Sequence, residues 1–135
     1  MEPVYAVLTG DIRNSTRMPE TDQARLPQAL KLIFSNLSDQ LRNKGSRLES
    51  SILRGDSFQL VTDPIAAIDV ALGIRAGLRA AFPAKAGTAI DCRIAIGIGT
   101  VRNMRENITE SSGEAFLVSG RLLENMGKTF LMRIE

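Results

Sequence analysis

Residues Val4 to Thr9 are apolar at successive positions, so both faces of the stretch want cover. That is the pattern of a strand buried between two layers, and it limits the fold more than any other feature. The stretch runs through Gly10 into Asp11 and then into Ile12-Arg13-Asn14-Ser15-Thr16, residues suited to starting a helix. It reads as a strand that delivers a carboxylate just past its end. A second carboxylate stands in Leu53-Arg54-Gly55-Asp56-Ser57-Phe58, where a Gly-Asp turn joins two strand-like runs. If the strand before Asp11 pairs antiparallel with the strand after Asp56, the two aspartates meet at one sheet edge. Hard oxygen ligands placed there suit Mg2+ or Mn2+ holding a phosphate chain.

The 135 residues are read as a single domain, 1–135, long enough for a substantial core. Apolar content of 44% and charged content of 24% are those of a soluble globular protein. The net charge is +2, the basic residues are spread along the chain and aromatics make up only 4%, so no nucleic-acid partner is expected. The absence of histidine removes the usual zinc sites, Ser-His-Asp triads and histidine bases together. A lone Cys92 excludes an internal disulfide, fits a reducing compartment and, lying in an apolar strand, reads as core. No apolar run reaches membrane-spanning length, and Met1-Glu2-Pro3 lacks the charge pattern of a signal peptide. A cytoplasmic protein that does not meet a membrane is expected.

After Asp11 the polar run to Arg25 predicts a loop or turn of helix, and a long helix is expected to begin near Pro27, since proline is tolerated in a first turn. Leu26, Leu30, Ile33, Phe34, Leu37 and Leu41 form its apolar stripe and Gly45 ends it. Arg47–Leu53 and Ser57–Thr62 read as a hairpin. Asp63-Pro64 then supplies a cap and first residue for a second helix with Ile65, Ile68, Ala71, Leu72 and Leu78 facing inward. Gly73 and Gly77 in that helix predict close approach to the sheet. Asp91 to Gly99 is a strand with Cys92, Ile94, Ile96 and Ile98 on one face and Arg93, Ala95, Gly97 and Gly99 on the other. The small-residue face calls for something large against it: a ligand, a second chain or a helix. A loop over Val101–Ser112, a third helix from about Gly113 to Met126 anchored by Leu117, Leu122, Leu123 and Met126, and a strand at Thr129–Ile134 complete the chain. This order gives an α+β, ferredoxin-like βαββαβ sandwich with an appended helix and strand. In its usual arrangement the first and third strands are antiparallel neighbours, which is what brings Asp11 to Asp56.

Four segments resemble, in order, the motifs of class III nucleotidyl (adenylate/guanylate) cyclases. Leu8-Thr9-Gly10-Asp11-Ile12-Arg13-Asn14-Ser15-Thr16 resembles their metal-binding opening, and Gly55-Asp56-Ser57-Phe58 their Gly-Asp-x-Phe hairpin. Arg93-Ile94-Ala95-Ile96-Gly97-Ile98-Gly99 resembles their Arg-Ile-Gly-Ile strand, and Gly113 through Arg121 their Gly-x-x-x-Asn-x-x-x-Arg helix. The resemblance implies a head-to-tail homodimer with a nucleoside triphosphate or related phosphate ligand at the interface. By position it makes Asp11 and Asp56 metal ligands, sets the amides of Ile12, Arg13, Asn14 and Ser15 against phosphate, and makes Arg121 the arginine that stabilises the transition state. Three departures accompany the match. The asparagine position holds Leu117, the base-selecting lysine position holds Ile52, and Glu110 falls only near the other base-selecting position. The chain is also shorter than such a domain. The combination is most similar to the small SatD-like proteins and implies lost or altered catalysis.

Simpler roles exist for each residue: Asp11 as a helix cap, Asp56 as a turn residue, Arg121 as a solvated helix residue. Three functions from different classes therefore stay open. They are a cyclase-like metal and nucleotide site with lost or altered catalysis, an active metal-dependent nucleotidyl cyclase, and a non-catalytic module that dimerises through the Ala95-Gly97-Gly99 face. A homodimer is expected under all three, because a small-residue sheet face is not left in water.

Overall fold

A computed structural model describes residues 3–54, 56–83, 90–102, 113–126 and 132–135. The elements run β1 (Val4–Arg13), α1 (Glu20–Asn43), β2 (Leu48–Arg54), β3 (Ser57–Thr62), α2 (Ala67–Ala81), β4 (Asp91–Thr100), α3 (Glu114–Asn125) and β5 (Met132–Ile134). They form one sheet in the order β2-β3-β1-β4-β5, with β1 antiparallel to both β3 and β4 and β5 parallel to β4. This is the βαββαβ sandwich with a helix and strand appended.

The central position of β1 explains its apolar character. Ala6, Leu8 and Ile12 face the core that α1 and α2 build, while Tyr5 and Val7 pack under α3 on the other side. Cys92, Ile94, Ile96 and Ile98 join the α1–α2 core, where Phe34 meets Phe58 edge-on with ring centroids 5.6 Å apart. Gly10 does not end β1, which continues to Arg13. Phe58 and the Arg93 carbonyl oxygen lie where a side chain on Gly10 would stand, so the glycine serves close packing within the strand.

Helix α1 begins at Glu20, ahead of Pro27, which lies inside it. Glu20 and Asp22 in the first turn favour an earlier start, and buried Leu26 in the following turn, still ahead of Pro27, packs into the core. Pro27 removes one amide, and the carbonyl it orphans belongs to exposed Gln23, where water can replace the lost bond. Asp63 precedes a short 3-10 turn, Pro64–Ala66, but gives it no side-chain cap. Its carboxylate accepts instead from the Arg47 amide at 3.3 Å.

Helix α2 is rotated from its expected phase. Ile65, Ile68 and Leu72 are 89%, 46% and 51% exposed, and Ala67, Val70, Ala71, Ile74 and Leu78 are buried. The glycines decide this. Gly73 and Gly77 face α1, where Leu37 and Ile33 occupy the space a β-carbon would need, so the close approach is to a helix and not to the sheet. Leu117 on α3 is likewise solvent-facing, at 61% exposure, whereas Leu122, Leu123 and Met126 pack on Ala95. Residues 103–112 of the expected Val101–Ser112 loop, with Glu110, Gly55 of the expected turn and residues 129–131 of the expected last strand lie outside the described residues.

Cys92 is fully buried, and burial above all, with Asp91 beside it, pushes its thiol up to about 12. Native protein is therefore expected to resist maleimide labelling and to label fully once unfolded in urea. Rapid labelling of the native protein would place Cys92 outside the core.

Candidate functional site

The site grows from the register of β1. Asp11 is paired with Ser57 on β3 and with Arg93 on β4, and the Ile12 amide donates to the Asp56 carbonyl oxygen at 2.7 Å. Asp11 and Asp56 are thus brought together at one end of the sheet, Asp56 exposed in its turn and Asp11 partly covered on the α3 face. The Ile12 amide is engaged by that bond. Arg13 is the last residue of β1, and Asn14 follows in the left-handed region at φ 62°, one of the few residue types that tolerate it. The Asn14 and Ser15 carbonyls accept from the amides of Arg17 and Met18, closing a tight turn directly beyond the strand.

The side chain missing from the sequence reading is Arg93. Its Nε donates to Asp11 Oδ1 at 3.0 Å and its Nη2 to Oδ2 at 2.5 Å, a two-pronged ion pair in which each side chain is about a quarter exposed. Nη1 donates to the carbonyl oxygen of Met126, just past the end of α3, so one guanidinium joins β1, β4 and the helix terminus. The hydrogen bonds to Asp11 raise the Arg93 pKa further, outweighing the opposing effect of burial. A charged residue among Ala95, Gly97 and Gly99 was the available signal, but only the strand register identifies its partner.

Helix α3 covers the small-residue face. A β-carbon on Gly97 would lie 2.5 Å from the Ala115 carbonyl oxygen and 2.6 Å from the Ser119 nitrogen, and the Thr9 and Ser119 hydroxyls are 2.8 Å apart across the contact. The large object called for by this face is the chain's own helix, so the face gives no reason for a second copy. Arg121 stands on the solvent side of α3 on the same face as Leu117. No hydrogen bond or ion pair joins it to either aspartate among the described residues.

A cavity of about 290 Å³ shares Asn14 with the turn beyond β1 and is otherwise lined by Met18, Arg25, Phe82 and Ile90 among others. It opens on the α1–α2 side of the sheet and reaches neither aspartate. A second ionic centre sits at the start of β4. Asp91 accepts from Arg75 Nε at 2.9 Å and Nη2 at 3.0 Å, from Arg79 Nη2 at 2.9 Å and from the Cys92 amide at 2.8 Å. Burial alone would push this carboxyl up, but the Arg75, Cys92 and Arg79 hydrogen bonds together hold it at about 2.

The described residues contain no cluster of three or more His, Cys, Asp or Glu side chains able to hold a metal. Mg2+ and Mn2+ do not require one, since such ions bind through one or two carboxylates and complete their shell with water and substrate phosphates. Arg93 takes one lone pair on each Asp11 oxygen and leaves the others. The donor set of Asp11 and Asp56 therefore fits such an ion in kind, with Arg93 as a competing cation. Among the described residues no helix is long and apolar enough to cross a membrane.

No protein-family model matches the chain, and no curated protein matches it. Solved structures do. An adenylate/guanylate cyclase/hydrolase from Silicibacter pomeroyi superposes with a TM-score of 0.62 at 19% identity, over 94% of this chain and 72% of that one. With its sheet order and its helices on both faces, the chain has a cyclase-like, ferredoxin-type α+β fold.

Proposed function

We propose that this chain is a divergent cyclase-like domain, nearest the small SatD-like members. In this reading it binds a nucleoside triphosphate or related phosphate ligand with Mg2+ or Mn2+ at the Asp11–Asp56 edge, and its catalysis is lost or altered. The observation that carries the reading is the β1–β3 register with the Ile12–Asp56 backbone bond, which brings two aspartates from distant parts of the sequence to neighbouring backbone positions at one end of the sheet. The metal would neutralise and orient the phosphate chain. Asp11 and Asp56 would hold it, and the turn at Asn14 and Ser15 would bound the phosphates. Leu117 and Ile52, which cannot hydrogen-bond a ribose or a base, support altered catalysis. A head-to-tail homodimer would bring Arg121 of a second copy to this edge, which gives that exposed arginine a role.

Calorimetric titration with ATP and with GTP in Mn2+, repeated in a chelator, tests the reading. Binding is expected only with metal, and Asp11→Asn is expected to weaken it at least about tenfold, or ~1.4 kcal/mol. No heat at millimolar nucleotide would leave the aspartates as turn and ion-pair residues. Cyclic product formed in the same mixture would instead identify an active cyclase.

A further inference from the structure

We propose that Arg93 is the resident cation of the Asp11–Asp56 site, and that it makes uptake of a divalent metal depend on simultaneous binding of a polyphosphate. The inference rests on the reading above and adds the rule by which that site loads.

Two carboxylates facing water would carry two negative charges and attract a free divalent ion. Here the Arg93 guanidinium already lies across Asp11 through two hydrogen bonds, leaving the edge one net negative charge. Site affinity for hard cations follows ligand charge, so this edge is poor at holding a bare ion. A metal bound there with Arg93 in place leaves a net positive edge. A polyphosphate is the ligand that reverses that sign, and Arg93 is near enough to Asp11 to share in attracting it.

Arg93 is also fixed in place. Its third nitrogen bonds the Met126 carbonyl oxygen at the C-terminus of α3, where a positive charge is favourable. Swinging the guanidinium away from Asp11 would give up that bond as well, so a bare metal ion has to displace a cation held from two sides. The planar fork of arginine makes this arrangement. Lysine at the same position would keep the charge and lose the two-pronged geometry.

The test is the electron paramagnetic resonance signal of free Mn2+, which attenuates when the ion binds protein, recorded with and without ATP or GTP. Wild-type protein is expected to leave the signal unchanged at micromolar Mn2+ and to attenuate it when nucleotide is added beyond what nucleotide alone produces. Arg93→Gln is expected to attenuate it without nucleotide, with Mn2+ affinity higher on the order of 10- to 100-fold. Arg93→Lys, which keeps the charge and loses the two-pronged grip, is expected to fall between the wild type and Arg93→Gln. Wild-type protein that takes up bare Mn2+ as tightly as Arg93→Gln, with Asp11→Asn abolishing uptake, would overturn the inference and leave the metal site standing. No attenuation by any of these proteins, with or without nucleotide, would overturn the inference together with the site. The wild-type arm decides even if Arg93→Gln fails to fold, because uptake of bare Mn2+ at micromolar concentration is incompatible with the proposal.

Discussion

Replacing Asp91 with asparagine is expected to destabilise the fold by about 2 to 3 kcal/mol, read as a lower urea midpoint at neutral pH. The carboxylate is 12% exposed and compensates Arg75, whose side chain is 23% exposed, and Arg79, which is 59% exposed. Removing the acid leaves Arg75 partly buried without its counter-charge, which is the costly way to break such a pair. Arg79 can turn to water, and for that reason the value falls below the full cost of a buried pair. The same group sets an acid limb. Its folded pKa is about 2 against an ordinary 3.8, so its contribution is fully present above the ordinary value and disappears as pH falls through the folded one. Wild-type stability should drop by about 2 kcal/mol between roughly pH 4 and pH 2 from this residue, and Asp91→Asn should lack that component. Equal urea midpoints for the two proteins would mean that Asp91 is solvated and that the ionic centre does not hold α2 to β4.

The sequence carried the fold because its strongest signals were local. The apolar run at Val4–Thr9, the Ser57–Thr62 strand and the alternating isoleucines of Asp91–Gly99 each name a strand and a face, and the order of elements then leaves few topologies. The phase of α2 was not legible in the same way. Ile65, Ile68 and Leu72 form as regular an apolar stripe as the one that is buried, and the choice between them is made by Gly73 and Gly77 fitting against Leu37 and Ile33, a contact between distant segments. The start of α1 was misplaced for a related reason. Proline at position 27 carries a strong local penalty, which burial of Leu26 and Leu30 on the same face overrides. At the site, Asp11 and Asp56 were legible as a pair because the topology alone makes their strands neighbours. Arg93 was not, since its partner depends on a register in which a one-residue slip would send its side chain to the other face. The Arg75–Asp91–Arg79 centre was hidden in the same way, two arginines one helical turn apart meeting a carboxylate from the next strand.

Gly97→Ala is expected to destabilise the protein by about 2 to 3 kcal/mol, and the reason bears on what the small-residue face is for. Both atoms nearest the added methyl group, the Ala115 carbonyl oxygen and the Ser119 nitrogen, belong to the backbone of α3. No rotamer change relieves the contact, so the helix has to move away from β4. Moving it stretches the Thr9–Ser119 hydrogen bond and draws the Met126 carbonyl from Arg93, which loosens the arginine over Asp11. A control on the same helix is Gly120→Ala, whose added methyl group meets nothing within 4 Å. That change should stabilise by up to about 1 kcal/mol, since alanine is the better helix former. Opposite signs for the two glycines in urea denaturation would be the signature of a helix closely packed on the Gly97 side and open on the Gly120 side. Equal and small effects would mean that α3 does not lie on β4. The Ala95-Gly97-Gly99 face would then be free for a second chain, and dimerisation through it would become the better account of its missing side chains.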